Sequence, residues 1–82
     1  MAEVKGYRAT AAFIFDSLDA AITRMMELAR TTGWRSIELT TPTAKTFRVF
    51  ISQDFTTLDD ARAWIRSMAA LSNFDSSAIY PR

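Results

Sequence analysis

Hydrophobic and polar positions alternate from Tyr7 to Phe15, with Tyr7, Ala9, Ala11, Phe13 and Phe15 on one side. A period of two predicts a β-strand. The period then changes. Leu18, Ala21, Ile22, Met25, Leu28 and Ala29 recur at three- and four-residue steps and make the apolar stripe of a helix. Ser17 is placed to cap that helix, and Asp19 falls in its first turn, where the helix dipole favours a negative charge. Gly33 is placed to end it in a left-handed conformation. Arg35 to Thr40 alternates again, with Ile37 and Leu39 on one side, and Thr41 to Lys45 has the composition of a turn.

The same order then returns. Thr46 to Ser52 predicts a strand with Phe47, Val49 and Ile51 inward. Thr57-Leu58-Asp59-Asp60 resembles a capping box with Asp in place of Glu or Gln. Leu58, Ala61, Trp64, Ile65, Met68 and Ala69 make a second stripe, Asn73 is placed to end the helix, and Ser77 to Tyr80 predicts a short last strand. Shifted by 40 residues, the chain aligns with itself without a gap. Tyr7-Arg8 falls on Phe47-Arg48, Ser17-Leu18-Asp19 on Thr57-Leu58-Asp59, and Gly33-Trp34 on Asn73-Phe74. This pattern predicts an internal repeat with halves at about 5–41 and 45–81.

The implied order is βαββαβ. It predicts an α+β, ferredoxin-like two-layer sandwich, with one antiparallel sheet and both helices on one face. Right-handed crossovers place the first and third strands at the centre. All 82 residues fit a single domain.

Composition narrows the chemistry. There is no Cys and no His, which excludes disulfides, thiolate and imidazole catalysis and the usual zinc ligand sets. The carboxylates Asp16, Asp19, Asp54, Asp59 and Asp60 fall at expected helix starts, where capping accounts for them. The expectation is a protein that is not an enzyme, with no cofactor and no metal. Ten basic and nine acidic residues give a net charge of +1, so electrostatics make only a weak case for nucleic acid or an anionic membrane. The segment from Met1 to Gly6 lacks the apolar core of a signal peptide, and the longest apolar run, Ala11 to Phe15, is too short to span a bilayer. A cytoplasmic location is expected, with no membrane contact.

Strand alternation sends a second set of residues away from the helices. It includes Arg8, Thr10, Ala12 and Ile14, then Arg48, Phe50 and Ser52, with Ser36, Glu38, Thr40, Ala78 and Tyr80 from the flanking strands. Two readings of this open face stand side by side. In one, it is solvated, and its arginines lie over their neighbours and pair with Glu38. In the other, Arg8, Thr10, Glu38, Arg48, Phe50 and Tyr80 form a partner-binding surface, since Arg and aromatic side chains are common anchors. Arg24, Arg30, Arg62 and Arg66 read as solvated helix surface, and Met25 and Met26 as core filler. A homodimer through the open sheet or an exposed edge strand is compatible with the same pattern.

Three resemblances follow. Phe47-Arg48-Val49-Phe50-Ile51, then Phe55, Ala61 and Leu71, with Tyr7-Arg8 and Phe15 as an echo, resemble the strand–helix signature of SPOR domains. That likeness implies a peptidoglycan glycan-binding module. Lys45-Thr46-Phe47-Arg48-Val49-Phe50 is similar to the third-strand motif of RNA recognition motifs, which implies binding of single-stranded RNA. By type alone, a small cysteine-free α+β chain running from Met1 to Arg82 is similar to phage-encoded inhibitors, including anti-CRISPR proteins. The leading expectation is a non-enzymatic inhibitor of that kind, acting by protein–protein contact; glycan and RNA binding are the alternatives.

Overall fold

Ser17 and Thr57 both hold extended backbone. Each hydroxyl accepts a backbone amide three residues on, from Ala20 at 3.3 Å and from Asp60 at 3.1 Å. These bonds satisfy amides that have no partner inside a helix, and they set where both helices begin. In the computed structural model, which describes residues 4–82, the elements are β1 (Tyr7–Phe15), α1 (Leu18–Ala29), β2 (Trp34–Thr43), β3 (Thr46–Phe55), α2 (Leu58–Ala69) and β4 (Phe74–Pro81).

The helices stop differently from the expectation. Arg30 and Ala70, the cap residues, keep right-handed backbone, and their amides bond back into the last turn. The left-handed residues are indeed Gly33 (φ 83°) and Asn73 (φ 66°), but they lie three residues further on, where the chain reverses into a strand. A Cβ at Gly33 would come within 2.6 Å of Gln53 Nε2, the end of a flexible side chain that can move aside, so the positive φ is what favours glycine there. Asn is among the residues that tolerate this region, and the Asn73 side chain donates to Ile14 O at 2.9 Å.

The strands form one antiparallel sheet in the order β2-β3-β1-β4, with β1 and β3 at the centre as expected. Three strands outrun their sequence signals. β2 continues through Pro42 to Thr43, which leaves only Ala44 and Lys45 as the turn. Pro42 is tolerated because β2 is an edge strand, and the pairing with β3 is irregular between Thr40 and Thr43. β3 reaches Phe55, and β4 spans Phe74–Pro81. Pairing along a full-length β1 carries both past the point where their own alternation fades.

The core lies between the sheet and the helices. Phe13, Val49 and Ile51 are fully buried, with Ala21 and Leu28 from α1 and Ala61 and Met68 from α2. Arg24 departs from the solvated role expected of it: it is only 8% exposed. Its guanidinium sits 4.9 Å from the Phe13 ring centroid and 5.6 Å from that of Phe15. It donates to Ser72 O at 2.8 Å and to Ser72 Oγ at 3.0 Å. No Cα of α1 comes within 8 Å of one in α2, and Arg24 links α1 to the turn after α2.

Arg24→Ala is expected to destabilise the fold by about 2–4 kcal/mol, through lost packing and an unpaired carbonyl at Ser72. Arg24→Met, which keeps the apolar stem, should lose less. Arg66→Ala, on the exposed side of α2, should stay within about 0.5 kcal/mol of the parent. Urea denaturation measures all three; equal midpoints for the Arg24 and Arg66 variants would refute a structural role for Arg24.

Candidate functional site

The register of the strands lays the open face out in rows. One row holds Asp54, Arg8 and Tyr80; the next holds Ser36, Ser52, Thr10 and Ala78. A third holds Glu38, Phe50, Ala12 and Ser76, and the last Thr40, Arg48 and Ile14. The sequence-predicted site residues therefore do not form one cluster. Phe50 and Asp54 are four residues apart on one strand, about 13 Å. Glu38, Arg48 and Phe50 share one end of the face, and Arg8 and Tyr80 share the other.

Between the ends lies a floor of short side chains. Thr10, Ala12 and Ser52 are buried even though they point away from the helices, because short side chains on central strands lie below their larger neighbours. Thr10 is thus part of the floor rather than an anchor, with its hydroxyl 3.5 Å from Ala78 O. Ser36 and Ser52 share a hydrogen bond of 2.7 Å across β2 and β3.

At the first end, Arg8 is already engaged. Its Nε donates to Asp54 Oδ1 at 2.8 Å, and Arg82 Nη1 lies 3.3 Å from Asp54 Oδ2. Asp54 does not sit at a helix start, as its sequence position suggested; β3 runs through it, and alternation aims it at Arg8. The hydrogen bond from Arg8 holds the Asp54 carboxyl below its ordinary value, helped by the charges of Arg8, Arg82 and Arg35. The same bond raises the Arg8 guanidinium.

At the second end the geometry is the same but the partner differs. Arg48 lies opposite Ile14, just as Arg8 lies opposite Asp54. Ile14 and Asp54 are 40 positions apart, so an apolar residue stands where the other end has a carboxylate. Among the described residues, no carboxylate comes within 4 Å of Arg48, and Glu38 makes no ion pair. Arg48 instead stacks over Phe50, 5.5 Å from the ring centroid, with its Nε buried and without a hydrogen-bond partner among the described residues. Tyr80 stands exposed at the far edge.

Sequence reasoning missed Asp54 as a member of this face. The signal was present in the 40-residue alignment, which puts Asp54 against Ile14 and so marks the two ends as chemically different. Among the described residues, no group of three or more His, Cys, Asp or Glu is placed to hold a metal, and no helix is long and apolar enough to cross a membrane. No family model matches the chain, and no curated protein matches it.

A carboxyl whose pKa is lowered on folding stabilises the fold while it is ionised. The Arg8–Asp54 contribution is therefore complete above the ordinary aspartate range and is lost as pH falls through the lowered value. Asp54→Asn should flatten this part of the acid limb when urea midpoints are measured from neutral pH down to about pH 2. The pair is about one-third exposed, so added salt should narrow the difference. Parallel curves for parent and variant would contradict the assignment.

Proposed function

We propose that this chain is a non-enzymatic binding protein that works by protein–protein contact through the Arg48–Phe50 end of its open sheet face. It acts in the manner of a small inhibitor that occupies another protein's surface. The observation that carries this reading is that Arg48 has no carboxylate partner among the described residues, while it is stacked on Phe50 and partly desolvated by its own sheet. A guanidinium already held against a ring loses less freedom on binding than a free one. Arg and aromatic side chains also dominate the residues whose truncation weakens interfaces most. The chemistry asks for a partner that places a carboxylate over Arg48 and an apolar group over Phe50, with a donor toward Glu38.

The test is a pull-down from a bacterial lysate, followed by affinity measurement with the captured protein. Arg48→Ala and Phe50→Ala should each weaken binding by about thirtyfold or more. Ile14→Asp should also weaken it, because it gives Arg48 the internal carboxylate that Arg8 already has. Arg62→Ala and Arg66→Ala should have little effect. Binding that survives the Arg48 and Phe50 substitutions but fails with those on α2 would overturn the reading. Retention on denuded glycan strands, or steeply salt-dependent binding of single-stranded RNA, would favour the SPOR-like or RNA-binding alternative.

A further inference from the structure

α1 carries more apolar surface than the sheet covers. Its buried side consists of Ala21, Arg24 and Leu28. Leu18, Ile22 and Met26, at four-residue steps, stay exposed; Ile22 is 40% and Met26 56% accessible, so Met26 is not the core filler expected of it, and only Met25 packs against the core. Arg24 fixes the direction in which they point, because it reaches across the midline to the β1 rings and to Ser72. Ile22 and Met26 lie two residues on either side of it, so at about 100° per residue each sits roughly 160° around the helix from Arg24. α1 packs mainly on β2 and β3, which means that flank overhangs the sheet edge formed by β2. Trp34, exposed at the start of β2, continues the ridge, with its Nε1 donating to Ala29 O at 3.2 Å.

The opposite edge is built differently. α2 turns Trp64 toward the midline, 5.8 Å from the Phe55 ring. The residues two places on either side of Trp64 are Arg62 and Arg66, both exposed. The same helical geometry puts them over β4. Charges above an open strand edge are a common guard against unwanted pairing. β4 has this guard, whereas over β2 the same two positions hold Ile22 and Met26.

We infer that the β2–α1 flank is a homodimer interface. A two-fold axis perpendicular to the sheet pairs β2 with β2 of a second copy in antiparallel fashion and packs α1 against α1. The flank is complementary to itself under that operation. Antiparallel packing of α1 lays Ile22 of one copy on Met26 of the other. Asp19 in the first turn and Arg30 at the C-cap lie eleven residues apart, close to three full turns, and so share one side of the ridge. The two-fold brings Asp19 of each copy toward Arg30 of the other, so opposite charges close both ends of the contact.

The strand register agrees. α1 advances about 1.5 Å per residue and β2 about 3.3 Å. With Ala29 beside Trp34, the middle of α1 lies over Ile37. A two-fold there uses Trp34 to Thr40 and leaves Pro42, which has no amide to donate, outside the new ladder. The product is a continuous eight-stranded sheet with both open faces on the same side. This goes beyond the binding role of Arg48 and does not depend on it.

Sedimentation velocity over the micromolar range tests the inference. The unmodified chain should show a concentration-dependent monomer–dimer equilibrium. Ile22→Arg combined with Met26→Arg, which copies the residue types α2 carries at those places, should weaken association by roughly a hundredfold or more. Both sites are exposed, so far-UV circular dichroism should be unchanged. Arg48→Ala and Phe50→Ala should dimerise normally. Three results would overturn the inference: a monomer at every concentration, a dimer indifferent to the α1 substitutions, or a dimer lost through Arg48→Ala or Phe50→Ala.

Discussion

The register between β1 and β3 is the constraint on which everything else rests. Phe13 lies directly opposite Val49, and Ala11 opposite Ile51. Phe13, Val49 and Ile51 are the largest fully buried side chains, so the core is a set of cross-strand pairs on one ladder. A slip of β1 by one residue against β3 would turn Phe13 and Ala11 to the open face and bring Arg8 under the helices. The same register places Asp54 beside Arg8 and Ile14 beside Arg48. One pairing therefore decides both where the core forms and which arginine is neutralised.

Several positions 40 residues apart play matching structural roles. Ser17 and Thr57 cap, Ala21 and Ala61 are fully buried beneath their helices, and Gly33 and Asn73 take left-handed backbone. Several outward-facing pairs differ in chemistry. Asp54 corresponds to Ile14, and Arg62 and Arg66 correspond to Ile22 and Met26. A shared scaffold tolerates such differences because exposed positions contribute little to its stability.

How far the sequence could be read depends on the range of the forces involved. The extent of β1 and the helix starts follow from neighbours within a few residues, and alternation or capping reports them directly. Arg24 was illegible because its burial depends on two rings and on Ser72, 48 residues away. On a helical wheel it looks like any other surface arginine. The ends of β2, β3 and β4 were too short in prediction for a related reason. Asp54 is a poor strand former by local preference, and its place in the ladder opposite Arg8 overrides that preference, while Pro42 has no ladder partner and lies in an irregular stretch of an edge strand closed by the pairing of Thr43 with Thr46.

The open face was identified by alternation alone, but its division into a satisfied and an unsatisfied end was not. That division needs the partner of each arginine, which is a property of two strands together. Arg8 and Arg48 occupy corresponding positions and follow the same local pattern, Tyr-Arg and Phe-Arg. A guanidinium already paired with a carboxylate has its charge largely offset and two of its five donors engaged, so a second carboxylate gains less from it. One held only against a ring has no such offset. The distinction between structural and available arginines thus lies in the residue across the ladder, Asp54 in one case and Ile14 in the other.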